Sequence, residues 1–198
     1  MISIEQSQSN KPYEIFYKLY HEALSNNQNS IEACCISSFS KTKNKVSSRF
    51  VNLKYIHSDE WIFFSNYNSP KAEDFYEHDQ IAVVFFWNKI NFQIRINASI
   101  KKTSRQFNKN YFINRSEHKN ALAISSNQSS FIDSYDSVRK NYYKSFASDN
   151  LKQCPDFWGG YSFTPYYFEF WEGNDSRLNK RDLYEKNGDN WHHSILQP

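Results

Sequence analysis

The chain has 198 residues, enough for one domain with a single core. Its 24 basic and 21 acidic residues leave a net charge of only +3, too balanced for a nucleic-acid surface, and no apolar run approaches the ~18 residues of a membrane span. With four glycines there is no Gly-x-Gly-x-x-Gly or Walker loop, which excludes a dinucleotide fold and a P-loop enzyme.

The first residues are polar, lack the apolar core of a signal peptide, and read as a flexible tail through residue 11. Residues 12–198 then read as one domain. From Pro12 to Asn26, apolar residues at 15, 16, 19, 20, 23 and 24 have helical spacing, with Pro12 suited to a first turn. Glu32 to Phe39 is a β-type run and Ser40 to Lys45 a polar turn. Ser48 to Tyr55 and Trp61 to Ser65 follow as strands, and Lys71 to His78 as a short helix. The compact run Ile81–Trp87 is expected to be a strand buried on both faces. Phe92 to Ile100 alternates, with Ile94, Ile96 and Ala98 opposed to Gln93, Arg95 and Asn97. Ser104 caps a helix running to Arg115, and Ser134 to Ala147 is another. Trp158 to Phe163 and Tyr166 to Trp171 are strands on either side of Pro165. Asn187-Gly188 marks a hairpin within Leu183–Trp191. Strands joined by hairpins predict a mainly β fold with flanking helices, a barrel rather than a doubly wound sheet.

Aromatics make up 18% of the chain, and such side chains build strands, flat-ligand sites and interfaces. The cysteines, Cys34, Cys35 and Cys154, have no zinc spacing and read as reduced thiols of a cytoplasmic protein. The six histidines show no zinc arrangement either, so no metal is expected. Glu169–Arg181 carries the densest signal. If the chain stays extended there, Arg177, Asn179 and Arg181 point to one face, and two guanidiniums on one face suit a phosphate ester or a carboxylate. Taken singly, Arg177 and Arg181 read as a solvated edge pair, and Trp158 and Trp171 as core.

The order of motifs goes further. Glu169-Phe-Trp-Glu-Gly, three residues, then Arg177-Leu-Asn-Lys-Arg181 resembles the C-terminal signature of the pyridoxamine 5'-phosphate oxidase family. That signature is Glu-Phe-Trp-Gln-Gly, then Arg-Leu-His-Asp-Arg. Arg49-Phe-Val-Asn-Leu-Lys54 is similar to the family's Arg-x-Val-Leu-Leu-Lys. Phe64-Ser65-Asn66, Ser69-Pro70-Lys71, Gln93, Tyr111-Phe112 with Arg115, Ser126 to Ser130, and Trp158-Gly-Gly-Tyr161 follow in the family's order. The resemblance implies a homodimeric split β-barrel that binds FMN. It assigns FMN to Arg49, Val51, Phe64, Ser65, Lys71, Gln93, Gln128, Ser129, Trp171 and Arg181. It assigns the substrate to Lys54, Tyr111, Arg115, Lys119 and Arg177, with Arg177 and Asn179 at the chemistry.

The implied reaction takes pyridoxamine or pyridoxine 5'-phosphate to pyridoxal 5'-phosphate, with O2 as acceptor and H2O2 as product. With no glycine-rich loop, side chains must hold each phosphate: Lys54, Arg115 and Lys119 for one, Lys71, Arg49 and Arg181 for the other. Arg49 and Lys54 face opposite sides of an ideal strand, so one site would need a bulge or two subunits to use both. The chain departs from the pattern at Pro70, where the resemblance implies an arginine for the FMN phosphate, at Phe92, at Lys119, where it implies a serine, and at Asn179, which replaces an ionisable histidine by an amide. A related FMN oxidase with another substrate, as in phenazine pathways, and a non-enzymatic binder of FMN or pyridoxal phosphate remain the alternatives.

Overall fold

The computed structural model describes residues 1–7 and 9–198. Ten strands form one sheet whose hydrogen-bonded path runs β1-β4-β5-β8-β7-β6-β2-β3, with β9 added to β8 and β10 to β9. The strands are β1 Ser3–Ser7, β2 Ala33–Ser40, β3 Lys45–Asn52, β4 Tyr55–Ser58 and β5 Glu60–Asn66. They continue with β6 Gln80–Trp87, β7 Phe92–Lys102, β8 Trp158–Glu172, β9 Lys180–Asn187 and β10 Asn190–Ile195. The helices are α1 Lys11–Ser25, α2 Pro70–Glu77, α3 Arg105–Ile113, α4 Glu117–Ser125 and α5 Tyr135–Ser148. Mainly β architecture with flanking helices is what the strand patterns predict. Strands from both halves of the path send buried residues, Ile36 and Val83 among them with Ile56 and Phe63, into one core. The sheet thus curls around a single interior, as a split barrel does.

That interior is aromatic. α1 buries Tyr13, Phe16, Leu19, Tyr20 and Ala23 against the sheet. Phe16 lies 4.4 Å from Trp61, ring centre to ring centre, and also touches Phe85 and Trp87. Rings packed edge-on and tilted contribute about 0.5–1.5 kcal/mol per pair beyond the area they bury. Trp87, fully enclosed, finds a partner for its indole N–H in the Ile31 carbonyl, 3.2 Å away.

Four expectations need correction. Residues 3–7, inside the expected tail, form β1, which pairs in parallel with β4 and follows the buried Ile2; Gln8, also in that tail, lies outside the described residues. The run Ile81–Trp87 is buried on one face only: Ala82 and Phe86 are exposed, because among the described residues no layer packs on that part of the sheet. The segments flanking Pro165 are one 15-residue strand, and a register shift opposite Asn97 and Ala98 accommodates the proline. The stretch after Arg115 contains α4, absent from the predicted elements. The hairpin holds: Asn187 pairs with Asn190, and Gly188 takes φ +60° at the first central position of the turn.

Gly159 in β8 lies against a buried polar knot. Asn108 Nδ2 donates to Tyr67 Oη (3.0 Å), Tyr67 Oη donates to the Gly160 carbonyl (2.9 Å), and Gly160 N donates to Asn108 Oδ1 (2.8 Å). A Cβ at position 159 would run into Tyr67 Oη and Asn108 Nδ2. Gly159→Ala is therefore expected to cost about 1–3 kcal/mol and to lower Tm by several degrees in a thermal melt.

Candidate active site

A cavity of about 600 Å³ opens beside β3, β5, α3 and α4. It collects eleven of the residues that the motifs single out: Arg49, Val51, Lys54, Phe64, Ser65, Lys71, Tyr111, Arg115, Lys119, Gln128 and Ser129. Arg49 and Lys54 share it without a bulge and within one chain. β3 ends at Asn52, Leu53 N donates to the Glu32 carbonyl, and Lys54 N donates to the Ile62 carbonyl. The backbone thus leaves β2 for β5 between the two side chains, and strand alternation no longer separates them.

Five cations line the cavity, Arg49, Lys54, Lys71, Arg115 and Lys119, and among the described residues no carboxylate does. Their partners stand behind the wall. Arg49 Nη1 donates to Ser38 Oγ (2.6 Å), and its Nη2 lies 3.8 Å from Asp74, itself held by Ser38. Lys54 Nζ is 3.6 Å from Glu32. Arg115 Nη1 donates to the buried Asn120 (3.0 Å), while its guanidinium sits 4.4 Å over the Trp158 ring. Burial holds the pKa of Arg49 and of Arg115 below the usual arginine value.

Lys71 decides what this end of the cavity accepts. It is only 6% exposed, and its ammonium donates to two hydroxyls, Ser65 Oγ at 3.2 Å and Ser69 Oγ at 3.1 Å. Burial, with the nearby Arg49 charge adding to it and Asp74 opposing, lowers its pKa to about 8. A buried ammonium with hydroxyl partners is a poor way to stabilise an empty fold and a good way to hold an anion. The neighbouring acceptors are fixed as well: Gln128 Oε1 lies 3.3 Å from Asn66 N, and Ser69 Oγ donates to the Asn66 carbonyl.

The other end is aromatic. Tyr111 stacks on Phe64 at 3.7 Å, and Trp158 continues the stack 5.2 Å from Phe64. Burial raises the Tyr111 pKa, so the phenol keeps its proton and remains a donor at neutral pH. A flat ligand with a phosphate tail therefore fits the donor set: a buried ammonium and a guanidinium for the tail, ring surfaces for the body.

Gln93, Trp171, Arg181, Arg177 and Asn179 do not line this cavity. Gln93, Trp171 and Arg181 form a row of register partners across β7, β8 and β9, half-buried on the sheet face that this chain leaves uncovered. The extended geometry expected for 177–181 is not found. Residues 173–179 form a loop, Arg177 takes φ +63°, and Arg177 N donates to the Asn174 carbonyl. Arg177, Asn179 and Arg181 thus share no strand face. Asn179 Oδ1 instead accepts from Asn174 N (3.0 Å) and closes the loop on itself. The partners behind the cations, Ser38, Glu32, Asp74 and Asn120, carry no motif of their own; only their burial in the folded chain identifies them.

Residues 21–142 match the family model described as pyridoxamine 5'-phosphate oxidase, and residues 158–198 match a pyridoxine 5'-phosphate oxidase C-terminal dimerisation region. The chain belongs to the pyridoxamine 5'-phosphate oxidase family. It is an oxidoreductase by that membership. Curated relatives include pyridoxine/pyridoxamine 5'-phosphate oxidase 1 of Hydrogenovibrio crunogenus, 34% identical over 94% of this chain and 88% of that one. The Colwellia psychrerythraea pyridoxine/pyridoxamine 5'-phosphate oxidase is 33% identical over 98% of this chain and 90% of that one. Among solved structures, PhzG from Burkholderia lata, bound to tetrahydrophenazine-1-carboxylic acid, superposes with a TM-score of 0.87 at 22% identity, covering 98% and 95% of the two chains. A pyridoxamine 5'-phosphate oxidase-related, FMN binding protein from Nostoc punctiforme gives 0.78 at 11% identity, over 96% and 100%. At these identities the two structures speak for the fold alone.

Lys71 makes anion binding pH-dependent. A bound phosphate ester raises the ammonium's pKa above its free value of about 8, so binding takes up a proton once the free lysine begins to lose its own. Affinity for a phosphate monoester is expected to rise as the ester becomes a dianion around pH 6, to be highest near pH 7, and to fall as pH rises through about 8. Calorimetric titrations in buffers of different ionisation heat measure the uptake, and Lys71→Met should abolish it.

Proposed function

We propose that the chain works as a homodimer. In each site the cation-lined cavity of one copy faces the Gln93–Trp171–Arg181 row of the other, and FMN lies between them. The observation that carries this is the division of the motif residues into two clusters, one in a cavity and one on an uncovered sheet face. Val46, Phe50 and Phe86, 70%, 76% and 56% exposed, give that side of the sheet the apolar surface an interface needs. The match of residues 158–198 to a dimerisation region supports the same assembly. Light scattering at micromolar concentration is expected to give twice the chain mass; a monomer that retains FMN would defeat the two-copy site.

The proposed reaction is oxidation of pyridoxamine or pyridoxine 5'-phosphate to pyridoxal 5'-phosphate, with O2 as acceptor and H2O2 as product. FMN supplies the hydride acceptor and the contact with O2. The chain supplies the rest. Lys71, Arg49 and Ser65 hold the cofactor phosphate, Gln128 and Ser129 flank it, and Val51 and Phe64 line the wall. Lys54, Tyr111, Arg115 and Lys119 hold the substrate phosphate, and the Phe64–Tyr111–Trp158 stack excludes water beside it. Trp171 and Gln93 meet the flavin from the second copy, with Arg181 beside them. Arg177 covers the substrate and orients it. Asn179, an amide, does not titrate near neutral pH; its part is to close the loop that presents Arg177. Three free thiols, two of them buried, support a cytoplasmic setting.

Purified protein is expected to show a bound-flavin spectrum, to release FMN rather than FAD on denaturation, and to produce H2O2 with the phosphorylated vitamers but not with their dephosphorylated forms. Arg177→Ala should lower kcat/KM at least about tenfold. Asn179→His, which adds an ionisable ring to the same loop, should raise kcat more than it changes KM. FMN retention with no H2O2 from either phosphorylated vitamer would leave a flavin-binding protein with another task.

A further inference from the structure

Beside the Gln93–Trp171–Arg181 row, on the same sheet face, sits a carboxylate that no motif role explains. Glu169 in β8 is 1% exposed. Its Oε1 accepts from Arg181 Nε at 2.9 Å, with Arg181 Nη2 2.8 Å from the same oxygen. Its Oε2 accepts from Arg95 Nη1 at 2.8 Å and from Tyr167 Oη at 3.0 Å. Arg95 is the register partner of Glu169 on β7, and Arg181 that of Trp171 on β9. One buried acid therefore ties two guanidiniums on three adjacent strands. Arg181 Nη1 also donates to the Gln197 carbonyl (2.8 Å), which pins the C-terminal residues to the same point. Among these contacts one N–H on Nη1 and at least one on Nη2 stay free for a ligand.

We propose that Glu169 is a positioning residue: it fixes the Arg181 guanidinium, and with it Arg95, beside Trp171 so that the remaining donors meet the flavin in one orientation. The proposal rests on the FMN site described above. Without the acid, two like charges on neighbouring strands repel, and each long side chain regains the rotamers that Glu169 removes. Charge alone would act the other way. A carboxylate near an anionic ligand repels it, so a Glu169 that mattered only through its field would, on removal, tighten binding. Loosening is the mark of positioning.

Glu169→Gln keeps the shape and removes the charge. Titrating the apoprotein with FMN, followed by quenching of flavin fluorescence, is expected to give a Kd about tenfold above wild type, the weight of one charge-assisted hydrogen bond. KM for pyridoxamine 5'-phosphate at saturating FMN should stay within about twofold, because the residues proposed to hold that phosphate line the cavity instead. Glu169→Asp restores the charge at shorter reach and should recover part of the affinity; where the Gln variant does not fold, a Kd above wild type in the Asp variant carries the test. Leu19→Ala, a truncation in the α1 core, controls for stability: it should lower Tm and leave Kd within about twofold. Wild-type or tighter FMN binding by a folded Gln variant overturns the role, as does wild-type binding by the Asp variant or a tenfold loss in Leu19→Ala. A wild-type protein that takes no FMN removes the oxidase assignment itself, and that titration separates the two failures.

Discussion

The structure is organised around like-charge repulsion. Five cations border one cavity, and the four less exposed ones, Arg49, Lys54, Lys71 and Arg115, are each tied to a neighbouring group that relieves their mutual repulsion. The ties come from five separate parts of the chain. β2 gives Ser38 to Arg49, α2 gives Asp74, the residue before β2 gives Glu32 to Lys54, α4 gives Asn120 to Arg115, and β8 gives the Trp158 ring. Ser38, Asp74, Glu32 and Asn120 do not line the cavity, whereas the Trp158 ring is part of its wall. The lining holds five cations and, among the described residues, no carboxylate, so an anion entering there meets positive groups already oriented, with little ordering left to be done on binding. Lys71 is the limiting case. Two hydroxyl partners take two of its three donors, and burial, with the Arg49 charge adding to it, lowers its pKa to about 8.

Aromatic packing makes that arrangement stiff enough to persist. The large rings of α1, β5 and β6 fill the interior, and a second set, Phe64, Tyr111 and Trp158, stacks in parallel on the cavity side. Trp158 belongs to both functions, since it packs on Phe112 and also carries the Arg115 guanidinium. Burying the guanidinium over an indole face rather than beside a carboxylate keeps its charge available to a ligand. A carboxylate at that point would neutralise the site it was meant to support.

Much of this was legible in the residue pattern, and what was not has identifiable causes. The strands of alternating or compact apolar residues, the Ser104 cap, the helix after Ser134 and the Asn187-Gly188 turn all signal locally, and all are found. α4 was missed because Ala121 to Ile124 is a contiguous apolar run with no helical spacing, and its burial falls on Asn120 and Ala121. β1 has a single apolar residue, Ile4, and forms because β4 offers it an edge, a tertiary fact. The extended geometry expected from Arg177 to Arg181 fails because a turn precedes it: Asn174 Oδ1 accepts from both Ser176 N and Ser176 Oγ, an Asx turn. In the cavity the side chains with chemistry were visible, and the groups that hold them were not. Ser38, Glu32 and Asn120 look like any surface polar residue until folding buries one side of each.

The departures from the family pattern take on a direction once they are placed. Pro70 stands at the first turn of α2, exposed, where the family pattern has a cation for the FMN phosphate. Lys119 stands in α4 on the same cavity as Arg115, where the family pattern has a neutral hydroxyl. On the proposed assignment, the chain has one cation fewer at the cofactor phosphate and one more at the substrate phosphate. The cofactor end compensates by burial, which strengthens every remaining interaction of Lys71 with an anion. The substrate end has an exposed lysine instead, screened by solvent and worth correspondingly less per charge. The two ends therefore answer to different variables, the cofactor end to the protonation of one buried ammonium and the substrate end to ionic strength. The cofactor end is the one whose charge changes within an ordinary range of pH.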